Sequence, residues 1–437
     1  MSNRHERHLH LGLWLTFLDG SDWRNPASRA EELNSLPPYL ELARIAEDAK
    51  FDAVIRGDGF GAPLPGPRQP YAGSLEILTL LAALAAGTDK IGLIGTASTS
   101  FTEPYNLART LATLDHLSNG RVGWNIVTST GGEENYGYDS IPGHEQRYER
   151  AEEYLEVVTK LWSSWDRDAV LVDRETGIFF DPDKINPIDH HGKHFRVAGP
   201  LNVARSPQGR PVFVQAGDSE RGKNFAARHA EIVFTAQRDI ARAQAFYADV
   251  KSRVRRTGRD ETLVSVLPGL VFTIAETPAE AQALAARFHG QIDYKRARAS
   301  LSELLGGVDL ADIGLDEQVP VDRWPDPATL TRQQGRPQIF LDLAKEKGTT
   351  LRQLLQALGT AHGHGRVFGT PEQIADHLAL WVKSDAADGF ALSPSQGLTG
   401  ARVFADQVVP ILRERGLFRT EYTGSTLRDH FGLPAPT

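Results

Sequence analysis

An α/β fold, a (β/α)8 TIM barrel with insertions after strands 4 and 7 and a C-terminal arm, is what the sequence predicts. Three observations predict it. Short β-branched apolar runs alternate with amphipathic helical segments along the 437 residues, the pattern of strand–helix units building a parallel sheet. Several runs stop in small and polar residues, as buried parallel strands do where they deliver side chains to an exit mouth. The length suits one barrel with insertions. The best-marked unit is the fourth: Arg121-Val-Gly-Trp-Asn-Ile-Val-Thr-Ser-Thr130, then Gly143-His-Glu-Gln-Arg-Tyr-Glu-Arg150 opening a long helix.

The elements follow in order. His8 to Leu15 is the first strand, and Pro37-Pro38 start a helix whose Leu42, Ile45, Ala46 and Ala49 share a face. Phe51 to Ile55 is the second strand, exiting at Arg56-Gly-Asp-Gly59, and a helix spans Leu75 to Ala86. Lys90 to Ile94 is the third, exiting at Gly95-Thr96-Ala-Ser-Thr99. Its helix has Pro104 just inside its start and closes at Ser118-Asn-Gly120. After the fourth unit, residues 166–210 break into short extended pieces and read as an insertion. Strands at Pro211 to Gln215, Glu231 to Thr235 and within Leu263 to Ile274 resume the series, each followed by a helix. Residues 290–365 give no immediate eighth strand and read as a lid-like insertion. Thr370, Pro371 and Gln373 then cap a helix, Asp388 to Leu392 is strand eight, and Ala401 to Arg415 is the last barrel helix. Residues 416–437 form an arm packed on the barrel or on a neighbouring subunit. One domain, 1–437, is expected.

Composition narrows the function. Apolar residues make up 41% and charged residues 24%, the formal charge is −8, and basic residues are dispersed, so no field for nucleic acid is expected. No apolar run approaches the ~20 residues that span a bilayer. The opening residues are polar and lack an apolar signal core, so a cytoplasmic location is expected. With no cysteine, thiolate chemistry and cysteine metal sites are excluded.

Four strand exits bring polar residues to one predicted face: Asp58, Thr96, Asn125 with Thr128, and the turn Gly217 to Ser219. His144 and Tyr148 are i,i+4 on the fourth helix, with Arg147 beside them. In the Gln215 to Gly222 turn, Gly217 permits close backbone approach, while Ser219 and the free amides of the helix start suit a phosphate. Ser219 equally suits a plain N-cap, Asp58 a turn and Thr96 a strand cap. Two histidine groups, His190-His-Gly-Lys-His194 and His362-Gly-His364, lack helical spacing and a carboxylate that would complete a zinc site, so no metal is expected.

The segments Tyr105 to Thr128, Gly143 to Ala151, Gly199 to Val203 with Ser206 to Pro211, and Val214 to Gly217 resemble the bacterial-luciferase-like flavin monooxygenases. The nearest branch acts on nitrilotriacetate, EDTA and dibenzothiophene sulfone. The resemblance runs from the first strand to Thr426-Leu-Arg-Asp429. It implies a barrel that takes reduced FMN from a separate NAD(P)H:flavin reductase and uses O2 to oxygenate a small organic substrate, with cleavage of a C–N or C–S bond and xenobiotic degradation as the typical setting. By position, Asp58, Thr96, Asn125, His144 and Tyr148 would line the flavin, Gly217 and Ser219 would hold its phosphate, and His144 or Tyr148 would donate a proton. A homodimer or homotetramer is expected. Arg56 departs from the more apolar exits of the family and is expected to alter this pocket; Arg296, Arg298 and Arg332 suit either an anionic substrate or a solvated face. Two other readings compete: a deazaflavin-dependent hydride-transfer oxidoreductase on the same barrel, and a metal-dependent barrel hydrolase using the histidine groups.

Overall fold

The strands of the barrel are parallel because each is followed by a helix that must return the chain to the same end. In the computed structural model, which describes residues 8–18, 23, 28–61, 75–361 and 363–436, they are β1 (His10–Trp14), β2 (Ala53–Arg56), β3 (Gly92–Ser98), β4 (Val122–Val127), β5 (Val212–Gln215), β6 (Ile232–Thr235), β7 (Ser265–Ile274) and β8 (Gly389–Pro394). Neighbours pair in sequence order, β8 returns to β1 through His10↔Gly389, and every pairing in the ring is parallel. The helices are α1 (Pro37–Asp48), α2 (Ile77–Ala85), α3 (Pro104–Leu117), α4 (His144–Trp162), α5 (Glu220–His229), α6 (Ile240–Arg256) and α7 (Pro278–Gly290), then α8 (Tyr294–Leu304), α9 (Gly335–Lys345) and α10 (Leu351–Ala361) between β7 and β8, and α11 (Pro371–Lys383) leading into β8. No described helix is long and apolar enough to cross a membrane.

Three features differ from the sequence expectation. β3 runs to Ser98 rather than stopping at Ile94, because β4 pairs with it all the way from Leu93↔Val122 to Ser98↔Val127; Thr96 is therefore a strand residue. β7 is longer than its neighbour β6, and the edge left free beyond Pro268 takes up an extra parallel strand, Gly365–Gly369, from Leu270↔Gly365 to Ile274↔Gly369. The last helix is not continuous: Gly397–Val403 and Val409–Glu414 flank a wider π turn, Phe404–Val408. Pro410 explains it, since proline supplies no N–H to the preceding turn.

The segment between α4 and β5 contains two small antiparallel pairs, Val170–Asp173 with Ile178–Phe180 and His190–His191 with Arg196–Val197. Glu153 of α4 anchors it, accepting from the amides of His194 (2.9 Å) and Phe195 (2.8 Å). Helices α8 to α10 enclose an apolar cluster of their own around Leu301, Phe340, Leu351 and Leu355.

The C-terminal residues pack on the barrel and seal its lower end. Leu427 lies where a Cβ on Gly92 or Gly123 would stand, at 2.4 and 3.0 Å, so those two glycines make its seat. Next to it, Glu231 accepts from both Arg210 (3.0 Å) and Arg428 (2.9 Å) and from the Phe213 amide (2.9 Å). Asp52 accepts from the Leu11 amide at 2.7 Å, faces His10 at 2.9 Å and pairs with Arg419.

Burial works against ionisation of Glu231, but Arg210 and Arg428 outweigh it and hold its carboxyl below the usual range. Asp52 is likewise held down by Arg419 and His10 against its burial. A depressed folded pKa contributes stability that is present above the unfolded value and lost as pH falls through the folded one. The wild type should therefore lose stability progressively below about pH 4. Glu231→Gln should lose roughly 3–5 kcal/mol at neutral pH, because two arginines are left without their carboxylate, and should show a shallower acid dependence. Urea unfolding at a series of pH values checks both; equal stability of the variant at pH 7 would show that the triad does not hold the arm.

Candidate active site

At the opposite end, the strand exits and helix starts meet. Thr96 and Asn125 are register partners on β3 and β4, so their side chains point the same way, and the Asn125 amide donates to Thr96 Oγ1 at 2.8 Å. Thr96 in turn donates to the Arg56 carbonyl at 3.2 Å. On β4, Trp124 takes the other face and packs against Tyr154, Trp162 and Phe213 under the helices. Asn125 Oδ1 is buried and has no hydrogen-bond partner, although buried acceptors are normally satisfied.

The second group lies between α4 and α5. His144 and Tyr148 bring their rings to 5.0 Å, and Ser219 Oγ is 3.4 Å from His144 Nε2. The buried Tyr148 hydroxyl shares hydrogen bonds with Ser219 and Gln215, and Gln215 Oε1 accepts from the Gly217 amide at 2.7 Å. Burial pushes the Tyr148 hydroxyl up, so it keeps its proton at neutral pH. Burial, followed by the Arg147 charge, pulls His144 down and leaves the imidazole neutral at pH 7. Ser219 is the N-cap of α5, accepting from the Gly222 amide at 3.1 Å. Gly217 and Gly222 touch: a Cβ on either would stand about 3 Å from the other's backbone, and one on Gly217 would meet the Tyr148 hydroxyl at 2.9 Å.

Asp58 is hydrogen-bonded to neither group. It accepts from the Gly59 amide at 2.8 Å, as a turn former does, and it lines a cavity of about 570 Å3 over the exits of β1, β2, β7 and β8. Helices α8, α9 and α10 close this cavity with Arg296, Arg336 and Leu358. Burial raises the Asp58 carboxyl. The volume falls in the range of small-molecule sites.

The structure corrects or extends the sequence reading at several residues. Arg147 does not join His144 and Tyr148 in the mouth: its guanidinium donates to the carbonyls of Pro142 (2.6 Å), Thr331 (2.9 Å) and Arg332 (3.0 Å), tying the lid to α4. Arg56 does enter the cavity wall, donating to the Leu15 carbonyl at 2.6 Å beneath Tyr39. Sequence reasoning passed over Asp218, between the two residues it chose. This carboxyl accepts from Thr235 Oγ1 at 2.9 Å, is pushed up to about 6 by burial, and is faced by the Arg336 guanidinium from α9. An acidic residue inside a Gly-x-Ser turn was the available signal. His190 faces Glu153 at 3.1 Å, and among the described residues no three His, Asp or Glu side chains are grouped as a metal would require. His362 lies outside the described residues.

A closed parallel barrel with polar strand exits, a glycine-paired turn at a helix start and a helical lid over a cavity is the architecture of the barrel enzymes, whose sites lie at the C-terminal ends of the strands. The luciferase-like monooxygenase family profile matches residues 13–388, and the chain belongs to that family; it is a flavin-dependent monooxygenase. Nitrilotriacetate monooxygenase component A of Aminobacter aminovorans is 43% identical over 427 residues, covering 95% of this chain and 93% of that protein. Among solved structures, EDTA monooxygenase from Chelativorans sp. BNC1 superposes with a TM-score of 0.78 at 36% identity, covering 98% and 99% of the two chains. A riboflavin lyase solved with modified FMN and riboflavin superposes at 0.87 with 31% identity over 98% and 96%.

The Gly217–Gly222 contact is backbone on backbone, which no rotamer change relieves. Gly222→Ala should destabilise by about 1–3 kcal/mol. Gly290→Ala, in a helix with nothing near its Cβ position, should be neutral or stabilise by about 0.5–1 kcal/mol. Paired denaturation curves decide; equal effects would mean that the turn yields freely.

Proposed function

We propose that the chain is the oxygenating component of a two-component system. It takes reduced FMN from a separate NAD(P)H:flavin reductase and, with O2, oxygenates a small organic substrate with cleavage of a C–N or C–S bond. The observation that carries this reading is Asn125 Oδ1, a buried acceptor without a partner beside Thr96 on the neighbouring strand. A flat heterocycle presenting a ring N–H would satisfy it, and the hydrogen bond to Thr96 Oγ1 fixes which way the amide is turned. Bound reduced FMN supplies the electrons that activate O2.

The chain's own groups do the rest. Asp58, Thr96, Asn125, His144 and Tyr148 would line the ring system, and Gly217 with Ser219 would hold the phosphate at the start of α5, where amides and helix dipole favour an anion. Tyr148, protonated and buried, holds a proton at its hydroxyl, and His144 beside it, whose charged form burial disfavours, is the weaker candidate donor. Lid helices α8 to α10 exclude water from the cavity beside the ring site. The names of the relatives support the rest of the reading: a "component A" works with a second component, and the nitrilotriacetate and EDTA enzymes act on C–N compounds. A cytoplasmic homodimer or homotetramer completes the proposal.

Anaerobic titration with reduced FMN and with reduced riboflavin tests it. Ser219→Ala should weaken FMN by about 10–100-fold, the loss of a hydrogen bond to a charged group, and leave riboflavin unchanged. Tyr148→Phe and His144→Asn should be assayed for binding and for oxygenation separately. Loss of binding alone would remove their proton-donor role, and no binding of FMN by the wild type would remove the whole reading.

A further inference from the structure

The segment between α4 and β5 raises an apolar ribbon into solvent. Six of the eleven large hydrophobic side chains left exposed among the described residues lie on it: Val170, Leu171, Val172, Ile178, Phe179 and Phe180, each between 39% and 56% exposed. Val170 pairs with Phe180, so both stand on one face, and alternation puts Leu171 and Phe179 on the other. An antiparallel pair lying on its own protein has one apolar face and one polar face; this one is apolar on both. Charged residues stand at its ends, Asp173, Arg174 and Glu175 at the turn and Asp168, Asp181 and Lys184 at the base. An apolar centre with a charged rim is the anatomy of a protein interface.

The ribbon is fixed at its base. The amide of Asp166 donates to the Lys184 carbonyl at 3.0 Å, that of Asp181 to Ala169 at 2.8 Å and that of Asn186 to Ser164 at 2.8 Å. Phe180 packs on Trp165 with ring centroids 5.3 Å apart, and the Trp165 indole N–H donates to the Leu201 carbonyl at 2.7 Å. A two-stranded ribbon is marginal in water by itself, and one held rigidly with apolar faces and free edges invites association. The other exposed hydrophobic groups are scattered: Leu117 on α3, Leu380 on α11, Phe368 on the extra strand, and Tyr136 with Tyr138 beside Phe101. Among the described residues, the one apolar surface of comparable size that a second molecule of this chain offers the ribbon is the same ribbon.

We propose that two copies of this chain clasp each other through their ribbons across a two-fold axis. This rests on the homo-oligomer of the proposed function and assigns its contact. Covering the six side chains of both copies removes ~1,000 Å2 from water, the size at which an interface becomes specific. A two-fold contact needs a surface complementary to itself, and an apolar ribbon with its charges kept to the ends is one. Two other occupants fit less well. A reductase that passes flavin on meets the chain transiently, and transient interfaces are no more apolar than ordinary surface, whereas homodimer contacts are. Acids outnumber bases at the ends of the ribbon, which opposes an anionic lipid surface.

Sedimentation velocity of the full chain over a range of micromolar concentrations tests it. The wild type should sediment as a dimer or larger. Leu171→Ser combined with Phe179→Ser should raise the dissociation constant by about a hundredfold or more, because two-fold symmetry removes each side chain twice. Leu380→Ser, at a leucine no less exposed, should leave association unchanged, and the far-UV circular dichroism of the double variant should match the wild type. The chain has no cysteine, so Phe179→Cys introduces a single reactive thiol. A flexible bismaleimide should join two Phe179→Cys chains covalently and should not join two Leu380→Cys chains. A wild type that is monomeric at these concentrations would remove both the contact and the homo-oligomer. An oligomer that survives the double substitution and is not joined through Phe179→Cys would remove the ribbon contact alone. A wild-type monomer that associates only with the reductase, or only with anionic phospholipid vesicles, gives the ribbon another occupant and likewise overturns the proposal.

Discussion

Closure of the sheet is the constraint on which everything else in this molecule depends. Ile232 to Thr235 of β6 pair with Ser265 to Pro268 of β7, and with β8 returned to β1 the ring has no free edge. A closed barrel has only two ends, and the chain treats them oppositely. The lower end is filled by Leu427 and Phe431 and locked by the Arg210–Glu231–Arg428 triad. Such a buried triad stabilises only when intact, since each partner's desolvation is compensated by the others. With that end sealed, the upper end is the one through which a ligand can reach the barrel's polar side chains.

The upper end is braced across its own loops. Arg147 reaches from α4 to the carbonyls of Thr331 and Arg332, while Arg332 reaches back to Thr130 and Glu133 beyond β4. Asp218 of the α5 turn faces Arg336 at the start of α9, and Gly335 allows that approach, since a Cβ there would meet Asp218 at 2.9 Å. The lid helices carry their own apolar cluster and are held as a body by contacts to the same turns that bear Asn125, His144 and Ser219. The lid is therefore tied to the loops of the mouth through polar contacts.

The barrel strands were legible because buried parallel strands write themselves as short apolar runs, and Pro104 and Thr370 marked helix starts that the structure repeats. What was not legible depends on partners far away in sequence. The end of β3 is set by pairing with β4, and Gly365–Gly369 becomes a strand only because β7 outruns β6. Arg147 read as a mouth residue from its helical spacing, which fixes a face but not the reach of a long side chain toward residues about 184 positions on. Thr96 with Asn125 and His144 with Tyr148 were brought together as expected, since adjacent strands and i,i+4 positions are short-range facts. The place of Asp58 in the wall of the lid cavity, and the burial of Asp218, required the whole top surface.

The two readings of Ser219, helix cap and anion holder, turn out not to compete. As a cap, its oxygen accepts from the Gly222 amide; its hydroxyl proton is not used by the cap and is shared with His144 and Tyr148. The Ser219 carbonyl takes the Lys223 amide, and the first amides of α5, at Glu220 and Arg221, precede any intrahelical acceptor. Arg221 adds its guanidinium 5.9 Å from the Tyr148 ring. A hydroxyl fixed by capping is a better-aimed donor than one free to rotate, because its orientation is already determined before a ligand arrives. The structural role of Ser219 is thus compatible with the proposed anion role, and the glycine pair beneath it keeps the turn close to α5.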